Sequence, residues 1–322
     1  MNIPENLREA IEKETQSFSF GDMVDAREDL TGRYRQRQRQ DQEFMTSNAH
    51  RCAYLAARMP ATYSVIYRVL LEVRSRMPDV PFRTLLDLGA GPGTAMWAAC
   101  GIFPQIEHVT LVEKDSELAK LGQRLASHSD SKAIREASWQ LDDLSRNNPY
   151  PQHDLVVLSY SIGELAPSAI PPLIESCWNS AARCLVAIEP GTPVGFERIR
   201  AIRSQLIALG AHLAAPCPHA LACPMAGGDW CHFSERVDRT SLHRRLKGGT
   251  LGYEDEKYSY AAVSKTHTNL PNSRVLRHPL KRSGHVVLTL CTANEGLKQE
   301  TVSKRTPEAY KLARKLEWGD PF

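Results

Sequence analysis

The stretch CPHALACPMAGGDWCHF, residues 217–233, places Cys217, Cys223 and Cys231 with five and then seven residues between them. A fourth cysteine, Cys291, closes a later apolar run. Four thiolates can bind zinc tetrahedrally or carry an iron–sulfur cluster. Zinc sites favour tighter Cys-x(2–4)-Cys knuckles, whereas a four-iron cube has corners further apart and suits looser spacing. Pro218 and Pro224 directly follow cysteines, as in iron–sulfur ligand runs. Spacing alone leaves iron–sulfur, zinc and no metal all open. The radical Cys-x3-Cys-x2-Cys pattern is absent, so reductive cleavage of a cofactor is not expected. His219 and His232 are rival ligands, but each adjoins a cysteine, which favours a role beside the site. Cys52, Cys100, Cys177 and Cys184 stand among apolar residues and read as small core side chains.

A second pattern carries chemistry. LLDLGAGPGTA sets Gly89, Gly91 and Gly93 after an apolar strand and before a helix. Glycines there let the backbone turn tightly and approach a ligand. Glu113 ends the next strand, where an acid accepts from both ribose hydroxyls. Asp142 and Asp143 follow the third strand, where an acid can meet an adenine amino group. Dinucleotides and S-adenosylmethionine both fit. Asp87, before the glycines, favours S-adenosylmethionine, whose ammonium group needs negative neighbours. The turn after the fourth strand, SYSIGEL, lacks the (Asp/Asn)-Pro-Pro-(Tyr/Phe) motif of amino-directed methyltransferases, and no cysteine nucleophile sits there. Tyr160 could stack on a base and Glu164 take a proton; the plainer reading has Tyr160 in the pocket floor and Glu164 capping a helix. No catalytic residue is assigned.

These residues need a scaffold. Residues 1–80 read as helical, with two helical pieces in residues 54–77 separated at Pro60. From Arg83 strands alternate with helices, which implies a parallel sheet with right-handed crossovers. Ser116 is a plausible N-cap of the helix after the second strand. KYSYAAVSK and GHVVLTLC read as a final pair of strands, with a loop between them. The expected organisation is an N-terminal helical region (1–80), an α/β core binding S-adenosylmethionine (81–210), a cysteine-rich metal-binding insertion (211–256), a terminal β-hairpin of the core sheet (257–295) and a basic tail (296–322). The fold class is a seven-stranded Rossmann-like sheet of the class I S-adenosylmethionine methyltransferases.

The 322 residues are 42% hydrophobic and 24% charged, which implies a packed core rather than disorder. No apolar run approaches the roughly 20 residues that span a bilayer. The charged N-terminal segment offers no apolar signal region, so a cytoplasmic chain without membrane contact or disulfides is expected. Net charge is +3, and cations gather in GRYRQRQRQ (Gly32 to Gln40) and from Leu297 to Asp320. Both segments suit phosphate contacts or are solvated helical faces.

Together LLDLGAGPGTAMWAA, EPGTPVGF, CPHALACPMAGGDWCHFSERVDR, KYSYAAVSK, GHVVLTLC and KLEWGD resemble the methyltransferase-like protein family of the mitochondrial small ribosomal subunit and its bacterial relatives. The resemblance runs from about Tyr54 to the end. It implies a four-iron, four-sulfur cluster on Cys217, Cys223, Cys231 and Cys291. It also implies action in small-subunit assembly with ribosomal RNA as partner. Three functions follow as expectations: a monomeric S-adenosylmethionine-dependent methyltransferase acting on ribosomal RNA, a non-catalytic RNA-binding assembly factor that keeps the fold, and a zinc-stabilised methyltransferase of small molecules.

Overall fold

The computed structural model describes residues 3–36, 45–225 and 227–322. The arginine-rich stretch passes outside these residues after position 36, so the phosphate-contact expectation placed on it lies outside the described residues.

Four helices lead: α1 (Glu5–Thr15), α2 (Phe20–Gln36), α3 (Asn48–Ala57) and α4 (Met59–Arg76). Leu7, Ala10 and Ile11 recur at helical spacing and are buried. Ser47 caps α3 by accepting the His50 N–H. Pro60 stands at the second residue of α4, where a missing N–H costs no helical bond. There follow β1 (Thr84–Leu88), α5 (Thr94–Ile102), β2 (His108–Glu113), α6 (Ser116–Ala126), α7 (Lys132–Arg135), β3 (Ser138–Leu141), β4 (His153–Ser159) and α8 (Ile170–Ser180). Next come β5 (Ala181–Pro190), α9 (Pro193–Ala208), β6 (His212–Ala215), β7 (Phe233–Asp238), α10 (Ser241–Leu246) and β8 (Tyr253–Ser264). The chain ends with β9 (Ser273–Val275), β10 (Leu280–Lys281), β11 (His285–Thr292), β12 (Gly296–Ser303) and α11 (Pro307–Ala313).

The chain forms two compact units. Unit 1 comprises residues 1–71, 81–182 and 235–256. Its strands run β3-β2-β1-β4, all parallel, with Leu85 opposite Val109 on one side and Leu155 on the other. Leu85, Leu86 and Leu88 are fully buried, as expected of a strand covered on both faces. Asp115, not Ser116, caps α6, its carboxylate accepting the N–H groups of Glu117 and Leu118.

Unit 2 comprises residues 72–80, 183–234 and 257–322. Here β8 lies antiparallel between β5 and β6, with Leu185 and Leu213 both opposite Val263. The parallel order β3-β2-β1-β4 of unit 1 and the antiparallel β8 between β5 and β6 of unit 2 are those of an α/β class I methyltransferase-like fold. These strands, with β7 paired to β8, number eight rather than the expected seven.

The expected terminal hairpin does not form. β11 belongs instead to a separate sheet of four, flanked by β12 on one side and by β9 and β10 on the other. Burial explains the difference. β8 is buried without interruption from Tyr258 to Ser264, so it fits between two neighbours with both faces covered. β11 largely alternates, with Val286, Leu288 and Leu290 inward, so it fits a sheet with one covered face. The segment expected as a tail supplies β12 and α11, and its Val302, Ala313 and Leu316 complete that sheet's core.

Candidate functional site

Unit 1 holds the glycine turn. Gly89, Gly91 and Gly93 all have positive φ, at 69°, 56° and 85°. A Cβ on Gly89 would stand 2.3 Å from the Cβ of Ser161, so only glycine lets these chains approach. The turn places Asp87 below it, fully buried, with no hydrogen bond completed by either carboxylate oxygen. Desolvation, then the nearby Glu113 charge, push its pKa up to about 7, with the Met96 N–H near enough only to oppose the rise.

Glu113 closes β2 with one oxygen accepting the Gly91 N–H at 2.8 Å and the other the Asp115 N–H at 2.9 Å. Burial also raises its pKa. Each oxygen keeps a second lone pair for a ligand hydroxyl. Asp142 lies further out and is already engaged. Its oxygens accept from Asn148 Nδ2 at 2.9–3.0 Å and from the Tyr150 hydroxyl at 3.1 Å, and the Asn148 bond leads in lowering its pKa. Asp143 caps a short 3-10 turn at Leu144–Arg146.

Beyond β4, Tyr160 takes φ 60°, a left-handed conformation uncommon outside glycine and typical of functional turns. The Arg58 guanidinium stands 5.2 Å over its ring and pairs with Glu256 at 2.9 Å. Glu164 neither caps a helix nor stands free; it pairs with Lys114 at 3.2 Å. Tyr54 of α3 is a neighbour that sequence spacing did not reveal. Desolvation raises its hydroxyl to about 12, with Glu164 and Glu113 adding to the rise.

Unit 2 gathers the four cysteines. Cys217, Cys223, Cys231 and Cys291 are free thiols lining one cavity of about 40 Å³. That is more than the roughly 10–15 Å³ a single water requires. Phe196, Met225 and Leu276 form its apolar wall. The Ser259 hydroxyl donates to the Cys231 carbonyl at 2.8 Å, and Trp230 Nε1 donates to the Gly191 carbonyl at 2.9 Å. Burial raises the Cys231 thiol well above its ordinary value, and Cys217, Cys223 and Cys291 each add to the rise. Burial likewise lifts Cys291 to about 12. Such thiols ionise only against a compensating cation. Among the described residues, no group of three or more His, Cys, Asp or Glu side chains is set to hold a metal ion.

Two buried arginines serve this loop, and the sequence reading missed both. Arg203 of α9 is 4% exposed and donates through Nη2 to the carbonyls of His219 (2.6 Å) and Leu221 (2.9 Å). Its charge opposes the burial-driven rise of Cys217. Arg274 of β9 is 2% exposed and donates to the Pro216 and Gly319 carbonyls and to Glu72, at 2.7–2.9 Å. A signal for Arg203 exists: it follows Phe196 and Ile199 along the buried stripe of α9. His219 Nε2 lies 3.5 Å from Cys291 Sγ. His232 stacks on Trp230 with ring centroids 5.0 Å apart. Cys52, Cys177 and Cys184 are buried, whereas Cys100 is half-buried.

The family model described as mitochondrial small ribosomal subunit Rsm22 matches residues 48–322. The human mitochondrial ribosome assembly protein METTL17 is 26% identical over 297 residues, covering 87% of this chain and 64% of that protein. The Rsm22-cox11 tandem protein 2 of Schizosaccharomyces pombe, also mitochondrial, is 26% identical over 323 residues, covering 84% of this chain and 42% of that protein. The chain thus spans less than two thirds of the length of either relative. Among solved structures, magnesium protoporphyrin IX methyltransferase from Synechocystis with bound S-adenosylmethionine is 12% identical, with a TM-score of 0.42 over 76% of this chain and 97% of that one. The cytoplasmic expectation is overturned, because the family and these relatives are mitochondrial by name. The chain belongs to the Rsm22 family of mitochondrial small ribosomal subunit proteins.

Proposed function

We propose that this protein works with small-subunit ribosomal RNA in ribosome assembly, holding S-adenosylmethionine in unit 1 and a four-iron, four-sulfur cluster on Cys217, Cys223, Cys231 and Cys291 in unit 2. The observation that carries the reading is the set of four thiols around one cavity, with the Arg203 cation beside Cys217. An all-thiolate donor set is the chemistry of iron–sulfur and zinc centres, and its net negative charge in an apolar wall calls for such a cation. The cluster acts as a staple, because ligand binding becomes folding energy for the loop it closes.

The residues at the glycine turn fit an adenosyl group on their own terms. Asp87 offers two carboxylate oxygens without hydrogen bonds, Glu113 keeps acceptor capacity, and the glycines clear a path along the backbone. Bound there, S-adenosylmethionine supplies an electrophilic methyl group. Asp87 would face its ammonium group and Glu113 its ribose.

Purification under nitrogen, with visible absorption and metal analysis, tests the cluster. Brown protein with about four irons per chain is expected; colourless protein holding one zinc overturns that assignment. The RNA role is tested by binding to a small-subunit ribosomal RNA transcript.

A second reading, an assembly factor without turnover, is favoured by the turn after β4. Glu164 is held by Lys114, Tyr160 is roofed by Arg58, and no acceptor motif is present. Damage to the glycine turn that leaves assembly intact supports this reading; lost assembly with a stable, RNA-binding variant supports methyl transfer.

A further inference from the structure

The four-stranded sheet at the C-terminus carries a charge pattern that neither site explains. Residues 273–322 hold ten lysines and arginines against five aspartates and glutamates, while the rest of the chain holds 30 against 32. The excess gathers at one end of this sheet. Arg282 lies in the turn between β10 and β11, Lys304 and Arg305 in the turn between β12 and α11, and Lys311, Arg314 and Lys315 on or just after α11.

Hydrogen bonds tie these segments together. The Lys304 N–H donates to the Gly284 carbonyl at 3.1 Å. The Tyr310 hydroxyl donates to the carbonyls of Arg282 (3.4 Å) and Ser283 (3.2 Å), and Arg314 Nη1 also reaches the Arg282 carbonyl at 3.4 Å. Lys311 and Arg314, the C-cap of α11, stand three residues apart on one side of the helix, and Lys315 follows directly. All six cations are exposed. None makes an ion pair among the described residues, whereas Lys281 and Lys298 of the same sheet are paired with Glu317 and Glu295.

Six unpaired cations on one rigid end repel each other unless an anion meets them. We propose that this end of the sheet, at Arg282, Lys304, Arg305, Lys311, Arg314 and Lys315, is a docking surface for the phosphate backbone of RNA. The inference rests on the RNA role proposed above and gives that role a place. Fixed cations spread over two turns and a short helix suit discrete phosphates along a strand. An anionic membrane is the poorer match, because α11 has seven residues and Leu312 is the one exposed large hydrophobic side chain on it, so the helix has no apolar face for insertion.

The test uses the full chain with its metal loaded. One variant changes all six to glutamine, and a control changes the exposed Lys13, Lys120 and Lys132 of unit 1 to glutamine. Affinity for a small-subunit ribosomal RNA transcript is measured across salt concentrations, and binding to phosphatidylserine vesicles in parallel. The expected result is that the six-residue variant loses about four to five from the slope of log affinity against log salt, at about 0.7–0.9 per phosphate contact. Its circular dichroism and iron content should match those of the unsubstituted chain, and the control's slope should barely change. An unchanged slope in the six-residue variant overturns the docking surface while leaving the RNA role standing. Vesicle binding that depends on the six residues, with RNA binding that does not, overturns it in favour of a membrane. An unsubstituted chain that binds no RNA overturns both.

Discussion

The glycine-turn site of unit 1 and the thiol cavity of unit 2 are built by opposite routes. The first is largely local: Asp87, three glycines and Glu113 come from β1, one turn and β2, and backbone geometry does most of the work. The thiol cavity is assembled from distance, with 59 residues between Cys231 and Cys291. Unit 1 buries a carboxylate with no hydrogen-bond partner, and under the proposed function a cationic group of the cofactor would meet it. Unit 2 buries thiols in an apolar wall beside Arg203, and under the proposed function a metal would hold them as thiolates. A local site can lose its ligand and keep its fold. A convergent site is expected to lose loop order with its ligand, because loop-closure entropy is then unopposed.

The largest effect is expected from Cys231→Ser. Iron and visible absorption should disappear, and the midpoint for unit 2 should fall by roughly ten degrees or more, as loss of several kcal/mol implies. S-adenosylmethionine affinity, read by calorimetry, should hold; if it collapses too, the contrast between the sites fails. Gly89→Ala comes next. Its Cβ would meet Ser161 at 2.3 Å on a backbone at φ 69°, so a destabilisation of about 2–4 kcal/mol and lost cofactor binding are expected, with iron content unchanged.

Asp87 then sharpens the contrast through pH. Its folded pKa of about 7 lies above the unfolded value, so the folded state binds more protons between about pH 4 and pH 7. Stability of the cofactor-free protein should therefore fall as pH rises through that window and level off above it. S-adenosylmethionine, which needs the carboxylate ionised, should bind roughly tenfold more tightly at pH 8 than at pH 6. Asp87→Asn should remove the binding dependence and flatten the stability slope, leaving in denaturant titrations only the share that the raised Glu113 carboxyl contributes. The smallest effect belongs to His219→Ala. As a neighbour of Cys291 rather than a ligand, it should leave iron content intact and cost about 1 kcal/mol. Loss of iron would make it a ligand.

The alternation of strands and helices from Thr84 to Pro190 was legible because apolar runs and a glycine turn are local signals. So were the helix at Thr94 and the break near Pro60. The small strands were not: β6 and β9 have four and three residues, too few to show a period. The segment 296–322 looked like a tail because polar residues outnumber apolar ones, yet Val302, Ala313 and Leu316 suffice to fold it onto β11. Ser116 looked like a cap, and Asp115 took the role because its carboxylate reaches two N–H groups.

By itself the sequence determined the glycine turn, the acids at Asp87 and Glu113, and the close run of Cys217, Cys223 and Cys231. These follow from residue type and near spacing, which are properties of a short stretch of chain. Only the tertiary structure decided that β11 leaves the main sheet, that Arg203 and Arg274 hold the cysteine loop, and that six cations share one sheet end. Those outcomes depend on which faces are covered and which loops close together, and burial and closure are set by the whole packed chain.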